Sequence, residues 1–379
     1  MLYIFQVILG LITPFLSFLF LSVYKNQRLQ AIAIASFITS MFIFFKPSDG
    51  YDLLVHYQNF MDYQAGQYEL FSRYVGVDVL IYLITSLGLE KNTLIFITSF
   101  MLFYTTFKFV EFKVPTNRVI IVFLIIVVGY PLVLLISGVR FSLALSFFLL
   151  SDISFSKKKY LRFVIFAGLS VMFHYAASVL VLIYVASKFF KVARVNTKLV
   201  ACILLMLLPL VFYQTLLIQV VSSLMGVVGF EQYVGLDLSR YVSGEWGAMR
   251  SASYNLNGLI GYYLPKILLC LLGFVYLFTC KEKDSFIITL FSIVLLMFNF
   301  GDIGDRYAIC LIPFLITSLM TTTNNISLRN FPLALIFTLC FVSVNMFKEF
   351  LLYGEVYMYL LQRTLFLNSP LFVLIGGTQ

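Results

Sequence analysis

A chain of 379 residues that is 61% hydrophobic and only 11% charged cannot cover its apolar surface in water, since an ordinary soluble domain carries about 25% charged residues. A mean hydropathy of +0.98 assigns it to lipid, where helices satisfy their own backbone hydrogen bonds. The net charge of +9 comes from short basic clusters between apolar runs, as the positive-inside rule produces. Nucleic acid therefore drops out as a partner and the lipid bilayer takes its place.

Apolar runs long enough to cross a bilayer, or nearly so, recur along the chain. They predict helices near 2–23, 29–45, 93–108, 119–136, 139–154, 160–173, 175–188, 199–223, 258–279, 285–300, 306–321 and 331–348. The expected fold is thus an all-α polytopic membrane protein of about twelve crossings, forming a single integral membrane domain over 1–379. The first run has no basic leader and no small-residue cleavage site, so it reads as a retained helix and not as a signal peptide. Cys202, Cys270, Cys280, Cys310 and Cys340 fall in or at the ends of apolar runs without metal or redox spacing. They read as small buried hydrophobes.

With the chain start outside, most of the 26 basic residues fall in inner links, among them Lys25, Arg28, Lys108, Lys113, Arg118, Lys157 to Lys159, Lys188 and Arg194. This scheme has two consequences. The run 71–89 becomes a re-entrant or interfacial segment of the outer face. The stretch from Arg162 to Lys188, basic at both ends, becomes two short helices meeting at His174. Two long outer loops remain, 46–76 and about 224–257, both rich in Tyr, acidic residues and Arg. Loops of that length are usually functional.

Several residues in this frame carry chemistry. Arg140 follows the break Ser137-Gly138 and opens an apolar helix, so its fork adds to the free N–H groups of a helix start, a combination suited to phosphate oxygens. The bland reading is an interfacial Arg snorkelling or paired with a carboxylate. Gly301-Asp302-Ile303-Gly304-Asp305 reads as a turn, with Asp302 or Asp305 capping the next helix and Arg306 in its first turn. His174 is placed to act as a general base, although a lone His in an apolar stretch is more often structural; His56 carries a weaker signal still.

Asp52 and Tyr57 lie in a first outer loop that mixes acids with aromatics, which suits sugars or an interfacial helix equally. In the second loop, Arg240, Tyr241, Glu245, Trp246, Arg250 and their neighbours form a candidate substrate lid. Lys266, after Pro265, is an intramembrane cation and hence a functional candidate, or one that pairs locally. No metal-ligand spacing and no nucleotide loop is present, so neither a metal nor a cofactor is expected.

The order of these motifs resembles the EpsG-like branch of the Wzy polysaccharide polymerases over nearly the whole chain. An Asp-centred, Tyr-rich outer loop (Asp49 to Phe60) precedes a helix opening Arg140-Phe141-Ser142-Leu143-Ala144-Leu145. Phe173-His174-Tyr175-Ala176-Ala177-Ser178 follows, and Asp305-Arg306-Tyr307 comes late. Phe141 stands where the family usually has Gln.

The resemblance implies an enzyme of the bacterial inner membrane, with its active face towards the periplasm. It would transfer a growing glycan from undecaprenyl pyrophosphate to a lipid-linked repeat unit, with a chain-length regulator and a flippase as partners. Arg140 and Arg306 would hold the donor pyrophosphate without a metal. His174, Asp52 or Glu245 would take the proton of the acceptor hydroxyl. An O-antigen ligase shares the donor, and a lipid-linked oligosaccharide flippase shares the size and the lipid.

Overall fold

In the computed structural model, residues 2–14, 17, 26–47, 52–67, 75–189, 256–280, 282–298, 301–321, 331–364 and 369–375 are described. All regular elements among them are helices. The chain divides into two compact units, residues 1–181 with 349–379, and residues 182–348.

The first unit begins with α1 (Leu2–Ile12), α2 (Gln27–Phe42), α3 (Asp52–Gln64), α4 (Val75–Ser86) and α5 (Thr93–Lys113). It continues through α6 (Val119–Gly129), α7 (Leu132–Ser137), α8 (Val139–Ser156), α9 (Tyr160–Phe173) and the first part of α10 (Ala177–Phe189). Its centre is a row of helices, α1 on α2, α2 on α5, α5 on α8 and α8 on α9. Small residues let these axes approach closely, the usual means of packing helices in lipid. Ser40 donates to the carbonyl of Gly10 at 2.8 Å, and Ser170 donates to that of Ala144 at 2.7 Å. Tyr130, Phe103, Phe107, Phe123 and Phe148 fill the space between them.

The ends of this row differ chemically. At one end Glu111 accepts from Arg28 at 2.5 Å and from Lys108 at 2.9 Å. Close by in sequence, Lys113 pairs with the buried carboxylate of Asp152 at 2.8 Å, near the C-terminus of α8. Twelve residues earlier, at the start of α8, stands Arg140, roughly 18 Å away along the axis. Arg28, Lys108 and Lys113 therefore stand at the end of the row away from Arg140.

The second unit contains the rest of α10, then α11 (Leu256–Thr279), α12 (Ser285–Leu296), α13 (Gly301–Met320) and the first part of α14 (Phe331–Gln362). Asp284 caps α12 by accepting from the Phe286 N–H at 2.9 Å, and its other oxygen takes Lys188 at 2.6 Å. A short helix, α15 (Pro370–Leu374), closes the chain within the first unit.

Four described helices are long and apolar enough to cross a bilayer: Thr93–Lys113, Val139–Ser156, Ile260–Thr279 and Phe331–Gln362. Shorter apolar helices accompany them, so the protein is an all-helical membrane protein. Along α14, Leu333, Ile336, Leu339, Phe347, Phe350 and Leu351 are exposed, a surface that only lipid or another apolar partner suits.

Most predicted boundaries agree with the structure to within a few residues, and four do not. The helix predicted over 2–23 ends at Ile12, just before Thr13-Pro14, and 18–25 lie outside the described residues. The run 119–136 is broken at Tyr130-Pro131, because proline cannot donate to the preceding turn. The run 331–348 extends to Gln362 and bends at Tyr353 (φ −130°, ψ 19°). The helix predicted from 306 begins at Gly301. The segment 71–89 gives a twelve-residue helix, α4, about 18 Å long and short of a hydrocarbon core of about 30 Å. Gly88 ends it with φ +67°, a left-handed conformation that favours glycine, while Leu89 donates back to Ile84 at 3.1 Å. The predicted helix 199–223 and outer loop 224–257 lie outside the described residues, apart from the first residues of α11.

Candidate functional site

The predicted loop 46–76 contains α3, a helix too polar to count among the apolar ones. Asp52 stands in its first turn, where a carboxylate is favoured by the helix dipole. Its Oδ2 accepts from Nη2 of Arg140 at 2.6 Å. Arg140 is the second residue of α8, directly after Gly138, so the predicted helix start is real. Gly138 ends α7, and an added Cβ there would lie 3.0 Å from the Leu134 carbonyl. The turn between the two helices is therefore tight.

The pair lies at the rim, with the Arg140 side chain 17% exposed and Asp52 34%. One turn along α3, His56 is 4% exposed. Neither of its ring nitrogens has a hydrogen-bond partner among the described residues. A buried polar group left in this state costs about 1–3 kcal/mol. Burial, then the positive charge of Arg140, push the imidazole down to about 4, and Asp52 acts in the opposite direction. The imidazole is thus neutral at physiological pH.

A folded-state value below the unfolded one means that the unfolded chain takes up the proton first, so stability falls with acid between about 6.5 and about 4. Lowering the pH from 7 to 5 should cost on the order of 1–2 kcal/mol through this group. Thermal unfolding in detergent should show a smaller acid loss in His56→Phe than in wild type.

His174 occupies the predicted turn. It follows the last residue of α9 in extended conformation (φ −150°, ψ 112°), and its Nδ1 accepts the N–H of Ala176 at 3.1 Å. Phe141, in the place of the family's Gln, meets the imidazole edge-on at 6.0 Å between ring centres. His174 therefore belongs to the same end of the helix row as Arg140, with one ring nitrogen holding the turn. Tyr57 is buried, donates to Asn92 Oδ1 at 2.7 Å, and has Lys91 above its ring at 5.3 Å. It ties α3 to the start of α5 and offers no open face to a sugar.

Lys266 and Arg306 belong to the second unit. Lys266 reaches Asp305 Oδ1 at 2.6 Å, donates to the Phe298 carbonyl at 3.3 Å, and lies 3.8 Å from the centre of the Tyr262 ring. It is an intramembrane cation with a full set of local partners. Asp305 lies inside α13 and pairs with Lys266, so it is not the predicted cap.

Arg306 falls in the second turn of α13, not the first. Gly304 explains the helical conformation of the glycine-rich segment, because a Cβ there would overlap the Met297 carbonyl at the end of α12. Alanine usually improves a helix by nearly 1 kcal/mol over glycine, yet here a backbone atom stands in the way. Gly304→Ala should instead destabilise by about 1–3 kcal/mol, read as a lower unfolding temperature. Arg240, Tyr241, Glu245, Trp246 and Arg250 lie outside the described residues.

The arginine–carboxylate pair at the start of α8 and the two histidines thus belong to one end of the helix row of an all-helical membrane protein. The model of the EpsG family matches residues 49–361, and the chain belongs to that family, whose members are polysaccharide-polymerase-like relatives of Wzy. No curated protein and no solved structure matches the chain.

Proposed function

We propose that this protein is a polysaccharide (O-antigen) polymerase of the bacterial inner membrane, acting at the periplasmic face. It transfers a growing glycan from undecaprenyl pyrophosphate to a lipid-linked repeat unit and forms a glycosidic bond. The observation that carries this reading is the Arg140 fork, pre-oriented by Asp52 at the start of α8, in a chain of the EpsG family. A guanidinium matches two phosphate oxygens at once. Placed against a pyrophosphate, it stabilises the negative charge that grows as the bond to the anomeric carbon breaks.

Arg306 and the stretch with Arg240, Tyr241, Glu245, Trp246 and Arg250 are the further candidates for contacts to the substrate. A base at the site takes the proton of the acceptor hydroxyl. A flippase delivers the repeat unit, and a chain-length regulator stops the reaction.

A lipopolysaccharide gel of a strain lacking this protein tests the reading. The expected result is core carrying a single repeat unit, with long chains restored by wild type and not by Arg140→Ala/Arg306→Ala at equal membrane level. Bare core without any repeat would mean that ligation or transport had failed, and would overturn the polymerase assignment.

A further inference from the structure

Among the described residues of the first unit, His56 is the one ionisable group that combines near-complete burial with two ring nitrogens lacking a hydrogen-bond partner. A histidine kept for packing alone would be better replaced by an apolar residue, because removing an unsatisfied buried group relieves its desolvation cost. Its position supplies a reason to keep it. At i+4 from Asp52, it shares that residue's face of α3, and Arg140 and Asp52 are the two charged groups acting on it, Arg140 the more strongly.

We propose that His56 is the proton acceptor of glycosyl transfer, with Asp52 as the carboxylate that orients it once the donor is bound. This assignment rests on the reading of Arg140 as the pyrophosphate ligand. In the resting state Asp52 is held by Arg140, and His56 is covered. An arriving pyrophosphate draws the guanidinium to itself and frees Asp52 to accept one ring N–H.

The other ring nitrogen then faces the acceptor hydroxyl. Its oxygen forms the bond to the anomeric carbon, and the carbon–oxygen bond to phosphate breaks with its electron pair going to the leaving polyprenyl pyrophosphate. The hydroxyl proton passes to His56. Pyrophosphate charge also cancels the effect of Arg140 on the ring, so the base gains strength only while a donor is seated.

Purified full-length protein in detergent, given a polyprenyl-pyrophosphate-linked repeat unit, tests this with His56→Phe and His56→Gln. General-base removal costs roughly 10²–10⁴-fold in rate, so both variants should lose transfer by at least that lower bound. They should keep thermal stability at neutral pH and retain binding of polyprenyl pyrophosphate within about threefold. His56→Gln keeps a polar ring-sized group without a basic nitrogen and decides the matter should the Phe variant fold poorly. Transfer within threefold of wild type in either folded variant would overturn the assignment, as would loss of donor binding together with transfer. If wild type itself makes no polymer from this donor, the polymerase reading fails; if wild type and His56→Gln both make it, only the role of His56 does.

Discussion

Arg140→Ala should lower polymer formation by about 10²–10³-fold, the usual effect of deleting one preorganised donor to a developing oxyanion. The protein should remain folded. Asp52, a third exposed, regains water when its partner goes, and exposed or half-exposed pairs contribute roughly 0–1 kcal/mol. Arg140→Lys should rescue little, because an ammonium offers a point charge in place of the planar fork that meets two phosphate oxygens.

Asp52→Asn separates orientation from charge. The guanidinium keeps its charge and loses its anchor, so turnover should fall by a smaller factor than in Arg140→Ala, with donor affinity little changed. Polymer length on gels at matched membrane level, together with turnover in detergent, checks all three variants. Wild-type turnover in Arg140→Ala would remove the arginine from the site.

The helices were legible because lipid imposes a demand that composition alone reveals, and runs such as 93–108 and 139–154 leave no other solvent open. The run 119–136 reads as one helix by its hydropathy, although the missing N–H of Pro131 was a signal for the break. The sequence misled where polar residues sat inside helices. The predicted helix 331–348 stops just before Glu349, but Glu349 is buried and takes the Tyr357 hydroxyl at 2.9 Å and the Val133 N–H at 3.4 Å. With the carboxylate satisfied, α14 continues through its bend.

The run from Gly301 to Asp305 read as a turn by its glycines, yet Gly304 is required by the nearness of the Met297 carbonyl, a contact between two helices that no local pattern encodes. The site was legible by residue type and not by partner. Arg140 and His174 stood out from their breaks in the chain. The Asp52–Arg140 pair spans 88 positions, and the significance of His56 lies in burial without partners, which is a property of coordinates. Asp152 and Glu111, which neutralise basic residues at the opposite end of the helix row, went unnoticed because the excess of Lys and Arg dominated that face.

Lys266→Met should destabilise more than either change at the Asp52–Arg140 pair. It leaves the Asp305 carboxylate, 20% exposed, without its nearest cation, and breaking one side of a buried pair costs about 3–5 kcal/mol. The Tyr262 ring also loses the cation stacked on it. Removing both charges in Lys266→Met/Asp305→Leu should restore most of the lost stability, since apolar replacements of buried pairs are often neutral or better. Unfolding temperature in detergent reads both effects.

The double variant also decides what Lys266 is for. If it folds and still polymerises, Lys266 is a structural cation of the α11–α13 contact and does not touch the substrate. If it folds and turnover is lost while Arg306 is intact, the lysine serves the substrate, and the pair with Asp305 is the resting arrangement of a binding group, as the pair with Asp52 is for Arg140.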